Sequence, residues 1–259
     1  ISLIAQKKVR DDIATRKENL KIAVVVPTFN SAGYIVHSLR GIVQQVRLGL
    51  QKHKDWQYEI IVSLNGKENR EELSRLREFQ KKDLGPGIRL TVLHLQGIQN
   101  KIQAMNAGAA YAKKSQSDIL GFIDDDVRHA GYSLPRLPEY LLEHSEISLT
   151  GAQGGPTRTR EPSASVFERL EALASTDSTL PTGPSGQFMP TAFYPMIPSE
   201  IIVDDAYLIL YFMSLDGSMK RISLAPDTAT YWYLTGETSL YLKRFIRATM
   251  ATRQLEAIF

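Results

Sequence analysis

The sequence predicts an α/β protein with a mostly parallel central sheet flanked by helices. Two observations support this fold class. Four apolar runs typical of buried strands alternate with three helical patterns between residues 21 and 126, which indicates βαβ units. The first run, KIAVVVPTFN (21–30), is continuously apolar up to a proline, as in a strand that is buried on both faces.

The predicted elements follow one another in a regular order. The strands are KIAVVVPTFN (21–30), YEIIVSLNG (58–66), GIRLTVLHL (87–95) and DILGFIDDD (118–126). The helices are SAGYIVHSLRGIVQQVRLGL (31–50, with Ser31 as N-cap), EELSRLREFQKK (71–82) and NKIQAMNAGAAYAKK (100–114). Ligands of such sheets bind off the carboxyl ends of the strands, so the aspartates that end the fourth strand lie where a ligand is expected.

The second half of the chain is organised differently. Loops rich in Gly, Pro, Ser and Thr (151–163 and 175–190) flank a predicted helix at 164–174. The acidic pair Asp204-Asp205 then precedes an apolar helical stretch, a strand-like segment with Tyr and Trp, and an amphipathic carboxyl-terminal segment. Because no repeat or linker is evident, we predict one domain, 1–259, with a ligand-binding half (21–126) and an elaborated half (127–259).

Composition excludes several classes of function. The net charge of +3 and pI near 8.9 are only mildly basic, which argues against nucleic acid as a partner. The chain has no cysteine, so disulfides and Cys-ligated metals are excluded, in agreement with a cytoplasmic setting. No apolar run approaches the roughly 20 residues that a membrane-spanning helix needs.

Asp124, Asp125 and Asp126 form the most informative cluster of charges. Carboxylates grouped at a strand end suit a hard divalent cation, Mg²⁺ or Mn²⁺, which commonly shares its coordination shell with substrate phosphates. The alternative is a solvated acidic turn, since aspartates are frequent where strands end.

Five segments carry a family resemblance when they are taken in order. VVVPTFNSAGYI, EIIVSLNG, NKIQAMNAGAAYA, GFIDDDV and DDAYL resemble family 2 nucleotide-sugar glycosyltransferases of the GT-A fold, over roughly residues 21–250. The resemblance implies a GT-A (Rossmann-like) fold with a nucleotide-sugar-binding half and an acceptor-binding, catalytic half. It also implies a bacterial-type inverting enzyme that moves one sugar from a nucleotide-diphospho-sugar to an acceptor hydroxyl.

The resemblance further implies the partners. A UDP-sugar is favoured over a GDP-sugar as donor, and a glycan or a lipid-linked molecule is expected as acceptor. The pathway would be the synthesis of cell-surface polysaccharide, glycolipid or a related glycan.

The resemblance assigns donor-binding roles to residues at the strand ends. Pro27, Thr28 and Asn30 match the family's turn after the first strand, where Thr28 would lie against the base. Asn65 replaces the usual acidic residue that accepts a hydrogen bond from the base, and Asn65-Gly66 as a plain turn is the alternative. Lys101 opens a helix, where the dipole disfavours a cation, and a bound diphosphate would resolve this conflict.

The aspartate cluster corresponds to the family's Asp-x-Asp motif. The resemblance implies that Asp126 holds Mn²⁺ or Mg²⁺, with Asp124 as a second ligand. Either Asp124 or Asp125 would reach the ribose hydroxyls, and spacing leaves this choice open.

Asp204-Asp205 matches the acidic pair that supplies the catalytic base in inverting members. An inverting displacement needs a carboxylate that takes the proton of the acceptor hydroxyl. The resemblance assigns that role to Asp205, with Asp204 second. The alternative is an acidic N-cap for the helix that follows.

The carboxyl-terminal YLKRFIRATM (241–250) departs from the Gln-x-x-Arg-Trp motif of processive polysaccharide synthases in the family, which favours transfer of a single sugar. Arg247 could hold the diphosphate from a lid. This basic amphipathic segment either packs on its own domain or contacts an anionic membrane peripherally. We therefore expect a cytoplasmic protein, in the latter case at the inner face of the cytoplasmic membrane.

Two other functions fit parts of the pattern. A nucleotidyltransferase or metal phosphohydrolase would also use clustered aspartates, but a Gly-rich phosphate loop near the first strand and His-rich metal ligands are missing from the sequence. A non-catalytic sugar-nucleotide-binding protein would agree with the unusual Asn65.

Overall fold

The computed structural model describes residues 3–29, 35–66, 70–97, 100–157, 186–201, 203–215, 217–233, 250 and 253–258. The helices are α1 (Leu3–Thr15), α2 (Ile35–Lys52), α3 (Arg70–Gln80), α4 (Lys101–Lys114), α5 (Ser133–Glu143) and α6 (Asp204–Ser214). The strands are β1 (Lys21–Phe29), β2 (Gln57–Gly66), β3 (Ile88–Gln96), β4 (Ile119–Phe122), β5 (Val127–His129), β6 (Leu149–Thr157), β7 (Gln187–Pro190) and β8 (Ile222–Tyr233).

The strands form one sheet in the order β3-β2-β1-β4-β7-β6-β8-β5. Parallel pairing joins β1 to β2, β1 to β4, β2 to β3 and β6 to β8. Antiparallel pairing joins β4 to β7, β6 to β7 and β5 to β8. The predicted α/β class with a mostly parallel sheet is therefore confirmed.

The apolar run of β1 explains why the sheet has helices on both faces. Val24 and Val26 pack into one core with residues of α2 and α5, whereas Ala23 and Val25 pack into a second core with residues of α4 and α6. Alternate residues of a strand point to opposite faces, so a strand with two buried faces must be apolar throughout. The prediction that β1 is buried on both faces is confirmed.

The packing of α4 on the sheet is unusually close. A Cβ atom at Gly108 would lie 2.4 Å from Val25 Cγ1, a distance that side chains do not tolerate. Glycine at this position therefore lets α4 approach β1, and the approach fixes the amino-terminal end of α4 at the edge of the sheet.

The fourth strand is shorter than predicted. β4 ends at Phe122, whose partner is Gln187 of the antiparallel neighbour, and the three aspartates lie in the turn between β4 and β5. Adjacent carboxylates are accommodated more easily in a turn, where each can reach solvent or its own partner, than in a fully buried strand.

Some predictions fall on residues that the structure does not describe. The N-cap Ser31, the helix at 164–174 and most of the carboxyl-terminal amphipathic segment lie outside the described residues. The single domain and its division at residue 126 stay predictions. Among the helices that are described, none is both long and apolar enough to span a bilayer.

Candidate active site

The carboxyl ends of β1, β2 and β4 meet at one edge of the sheet. The register pairs Phe29 with Asn65, so β1 and β2 end at the same level, and it pairs Val25 with Phe122, so β4 ends four residues before β1. Thr28 and Asn65 are both buried there. Three of the predicted donor-binding positions, Pro27 included, are thus brought together.

The helix α4 begins at the same edge and carries Lys101 as its first residue. Asn100 is the N-cap, and its side-chain oxygen accepts a hydrogen bond from the backbone N–H of Ile102 at 2.7 Å. A cation in the first turn is unfavourable for the helix dipole, so Lys101 requires negative charge nearby.

Two carboxylates supply that negative charge. Lys101 Nζ lies 2.7 Å from Asp124 Oδ1 and 3.2 Å from Asp204 Oδ2. The sequence predicted that a bound diphosphate would offset the charge of Lys101. In the structure, Asp124 and Asp204 already offset that charge. The lysine joins the turn after β4 to the start of α6.

These ionisable groups shift one another's protonation equilibria. Burial favours the neutral amine of Lys101, but the charges of Asp124 and Asp204 outweigh burial and raise its pKa above the usual range. Burial raises the pKa of Asp124 despite the opposing charge of Lys101. Lys101 therefore stays cationic, and Asp124 is a carboxylate that gains from positive charge brought close to it.

Backbone contacts hold the turn that contains the three aspartates. The Ser38 hydroxyl of α2 donates to the backbone carbonyl of Asp125, and Arg128 Nη1 donates to Ser38 Oγ at 3.3 Å. The backbone N–H of Val127 donates to the carbonyl of Asp124 at 3.2 Å. Ser38 is a site-supporting residue that sequence reasoning missed, because its contact with this turn spans most of the first half of the chain.

The carboxylates of this turn suit a metal ion that is shared with a ligand. Within the described residues, no three His, Asp or Glu side chains are grouped so that they could hold a metal ion by themselves. Asp124 and Asp126 are both partly exposed oxygen donors at the strand end. Mg²⁺ and Mn²⁺ are commonly bound by one or two carboxylates plus substrate phosphates, so this donor set fits such an ion.

The acidic pair opens α6, but not as its N-cap. Val203 is the N-cap and Asp204 and Asp205 are the first two helical residues, so the alternative of an acidic N-cap is wrong. Asp204 is buried and pairs with Lys101, whereas Asp205 is partly exposed and its Oδ1 accepts from the N–H of Ala206 at 2.8 Å. Carboxylates in the first turn are stabilised by the helix dipole.

The segment before α6 is fastened to α4 by two asparagines. Asn106 Nδ2 donates to the Ile197 carbonyl at 2.7 Å, and its Oδ1 accepts from Tyr194 Oη at 2.8 Å and from the Ile197 N–H at 3.1 Å. Asn100 Nδ2 donates to the Ser199 carbonyl at 2.6 Å. The sequence placed Asn106 in a family motif without giving it a role, and the structure shows that it positions the chain that leads into α6.

Buried polar atoms of Asn65 and His129, at or near this edge, lack hydrogen-bond partners among the described residues. In the described part of the chain, nothing pairs with Asn65 Oδ1 or with either ring nitrogen of His129. An unpaired buried acceptor is costly, and for Asn65 a ligand donor would remove that cost.

Other predicted residues are not located here. Asn30 and Arg247 lie outside the described residues.

A groove of about 400 Å³ lies at the opposite edge of the sheet, against Lys21 of β1, Gln57 of β2 and Arg89 of β3. Because it is at the amino ends of the parallel strands, it is remote from the residues described above.

An α/β sheet with a parallel half, acidic side chains at the carboxyl edge and a second acidic pair at a facing helix defines the GT-A class of glycosyltransferase. The chain belongs to glycosyl transferase family 2, whose sequence model matches residues 23–186. The resemblance inferred from the five segments is therefore confirmed, and the protein is a glycosyltransferase. No curated protein matches the sequence.

A solved structure supports the fold. Mannosyl-3-phosphoglycerate synthase from Rubrobacter xylanophilus is similar with a TM-score of 0.61 and 12% identity, over 96% of this chain and 78% of that chain. Glucosyl-3-phosphoglycerate synthase from Mycobacterium tuberculosis, solved with Mn²⁺ and UDP-glucose, has a TM-score of 0.49 and 17% identity, over 87% of this chain and 73% of that chain. At 12% identity the likeness to the Rubrobacter xylanophilus enzyme concerns the fold alone.

Proposed function

We propose that this protein transfers a single sugar from a nucleotide-diphospho-sugar to an acceptor hydroxyl, with inversion and with Mn²⁺ or Mg²⁺ as cofactor. The observation that carries the proposal is the meeting of Asp124, Lys101 and Asp204 at the carboxyl edge of the sheet. This contact places the aspartate turn, a cationic helix start and the acidic turn of α6 side by side, as a donor site next to an acceptor site requires.

The donor is held by residues of the strand ends. Pro27 and Thr28 form the wall against the base, and Asn65 Oδ1, which has no partner among the described residues, accepts the N–H of that base. UDP-sugars remain the favoured donors. Asn30 and Arg247 complete the site, the first near the nucleotide and the second near the diphosphate.

The three aspartates of the turn after β4 have different roles toward the metal ion and the ribose. Asp126 and Asp124 hold the divalent ion, and Asp125 takes the ribose hydroxyls, because Lys101 engages the Asp124 carboxylate. When bound, the ion supplies positive charge that stabilises the diphosphate leaving group. Lys101 adds a permanent cation next to the same group.

The proposed reaction is a single displacement. The acceptor oxygen forms a bond to the anomeric carbon, the bond from that carbon to the diphosphate oxygen breaks, and its electron pair leaves with the diphosphate. Asp205 takes the acceptor proton, because it is the more exposed carboxylate of the pair while Asp204 pairs with Lys101. Attack opposite the leaving group inverts the anomeric centre.

The test is a donor screen followed by an acceptor screen. Stability is measured by thermal shift with UDP- and GDP-sugars, each with Mn²⁺, with Mg²⁺ and with EDTA, since a ligand that binds the native state raises its stability. Acceptors are glycans, lipid-linked sugars and 3-phosphoglycerate, which forms part of the name of the Rubrobacter xylanophilus enzyme. A donor that stabilises only with metal supports the proposal, and a protein that binds a donor but transfers its sugar to no acceptor would favour the sugar-nucleotide-binding alternative.

The match to glycosyl transferase family 2 argues against a nucleotidyltransferase or phosphohydrolase. The cellular location, the glycan pathway and a peripheral membrane contact through the carboxyl-terminal segment remain part of the proposal. Beyond that segment, Leu255 is 7% exposed in the core beside α6, and Gln254 Nε2 donates to the Glu200 carbonyl at 2.7 Å. These contacts place residues 254 and 255 against the domain.

A further inference from the structure

We infer that the ammonium group of Lys101 holds Asp124 and Asp204 together in the metal-free protein. When a divalent ion binds to Asp124, Lys101 releases that carboxylate. The inference rests on the proposed function, in which Asp124 is a metal ligand. It goes further by giving Lys101 a positioning role toward the helix that carries the base.

Lys101 connects two elements that are far apart in the sequence. Its ammonium group lies 2.7 Å from the carboxylate of Asp124 and 3.2 Å from that of Asp204, which belong to the turn after β4 and the start of α6. Among the described residues, Lys101 is the cation within ion-pair distance of both carboxylates. Asp204 has only 8% of its side chain exposed, so water compensates little of its charge.

A divalent ion and Lys101 compete for the same carboxylate. Lys101 engages Oδ1 of Asp124, and a metal ion bound to the same carboxylate is repelled by the like charge of the ammonium group beside it. The lysine is able to give way, because its charge sits at the end of a flexible chain and 33% of its side chain is exposed.

The exchange has a consequence for the base helix. When Asp124 turns to a metal ion, Lys101 keeps one protein carboxylate, Asp204, and gains the diphosphate as an outside partner. Asp204 is the residue before Asp205 in the first turn of α6. Occupancy of the donor site thereby changes the charge balance at the start of the helix that holds the base.

The experiment uses Mn²⁺ alone as probe on the full chain, with Lys101→Met as the main variant. Lys114→Met is the matched control, because it removes the same charge from an exposed position in the last turn of the same helix. Mn²⁺ affinity is measured by calorimetric titration without nucleotide, UDP affinity is measured with saturating Mn²⁺, and melting temperature is measured in EDTA and in Mn²⁺.

Opposite shifts are expected for the two ligands. Lys101→Met should bind Mn²⁺ about tenfold more tightly and UDP about tenfold more weakly than the wild type. Its melting temperature should fall in EDTA and recover in Mn²⁺ by more than that of the wild type. Lys114→Met should match the wild type in every measurement. A residue with a merely structural role would not tighten Mn²⁺ binding when it is removed.

If Lys101→Met binds Mn²⁺ as tightly as the wild type or more weakly, the inference is overturned. The proposed function still stands in that case if sugar transfer by the wild type requires Mn²⁺. If Lys101→Met does not fold, Lys101→Gln, which removes the charge but keeps hydrogen-bond donors, is measured in its place against the same expectation. If neither the wild type nor any variant binds Mn²⁺ or Mg²⁺, both the inference and the metal requirement are overturned. Sugar transfer measured in EDTA then tests whether the protein is a glycosyltransferase that needs no metal.

Discussion

Asp204 and Asp205 are adjacent residues of one helical turn that lie in different surroundings. Asp204 is buried with its Oδ2 3.2 Å from Lys101 Nζ, whereas Asp205 is partly exposed and accepts a hydrogen bond from the N–H of Ala206. The pair therefore combines a carboxylate that stabilises the site with one that a substrate can reach.

Substitution of these two residues should separate stability from chemistry. Asp204→Asn removes a buried carboxylate that pairs with Lys101 and should lower the free energy of unfolding by about 1–3 kcal/mol. Asp205→Asn should change it by less than about 1 kcal/mol, since its side chain is partly exposed. Urea unfolding measures both values, and a larger loss for Asp205→Asn would mean that the roles are reversed.

Asn65 offers a test of the base site with opposite effects on binding and stability. Asn65→Leu removes the buried oxygen that has no partner among the described residues, so the melting temperature should stay level or rise. Nucleotide affinity should fall about tenfold, because one hydrogen bond to the base is lost. Calorimetric titration with UDP measures the affinity.

Ser63→Ala is the matched control for this substitution. Ser63 is two residues upstream on the same strand and its buried hydroxyl also lacks a partner within the described part of the chain. Its removal should leave nucleotide affinity unchanged. Equal losses of affinity in both variants would point to a general disturbance of β2 rather than to a contact with the base.

The close approach of α4 to the sheet can be tested with two glycines. Gly108→Ala would place a Cβ 2.4 Å from Val25 Cγ1, so it should destabilise the protein by about 1–3 kcal/mol. Gly41→Ala in α2 meets no atom closer than 3.9 Å and should stabilise by about 0.5–1 kcal/mol through helix propensity. Urea unfolding of both variants checks the pair, and a neutral Gly108→Ala would contradict the packing described for α4.

His129 predicts a pH dependence of stability. Burial lowers the pKa of His129 to about 4, from an ordinary value of 6.5. Between these values the unfolded chain binds a proton that the folded protein excludes, so the free energy of unfolding falls as pH drops from about 6.5 to about 4. The loss over the whole window is of the order of 3 kcal/mol, and it ends below pH 4.

The non-titrating variant His129→Gln isolates this contribution. Unfolding curves recorded at intervals from pH 7 to pH 4 should show a smaller loss of stability in the variant than in the wild type. Parallel pH profiles would show that His129 already takes up its proton in the folded protein.

The parallel half of the fold was predictable because local patterns determine it. The strand of residues 21–29 is apolar on both faces, and the helix that follows each strand has its own periodicity. The antiparallel strands β5 (Val127–His129) and β7 (Gln187–Pro190) were not predicted, since strands of three or four residues carry too little pattern. Their place in the sheet depends on pairing with distant partners.

The candidate site was predictable residue by residue, but not as an arrangement. Lys101, Asp124 and Asp204 each stood out by residue type and position, while the contact that joins them spans about a hundred residues and leaves no local signal. The alternative of an acidic N-cap for the helix was wrong, because Val203 takes that position and both aspartates are helical residues.

The most direct test of the account is the formation of product by the wild type and by Asp205→Asn. Mass spectrometry follows a nucleotide-sugar with Mn²⁺ and an acceptor found in the screen. We expect glycosylated acceptor and nucleoside diphosphate in equal amounts from the wild type, and a rate at least about a hundredfold lower from Asp205→Asn with unchanged donor affinity. Full activity of Asp205→Asn would contradict the assignment of the base, and formation of a nucleoside monophosphate and sugar phosphate would contradict glycosyl transfer itself.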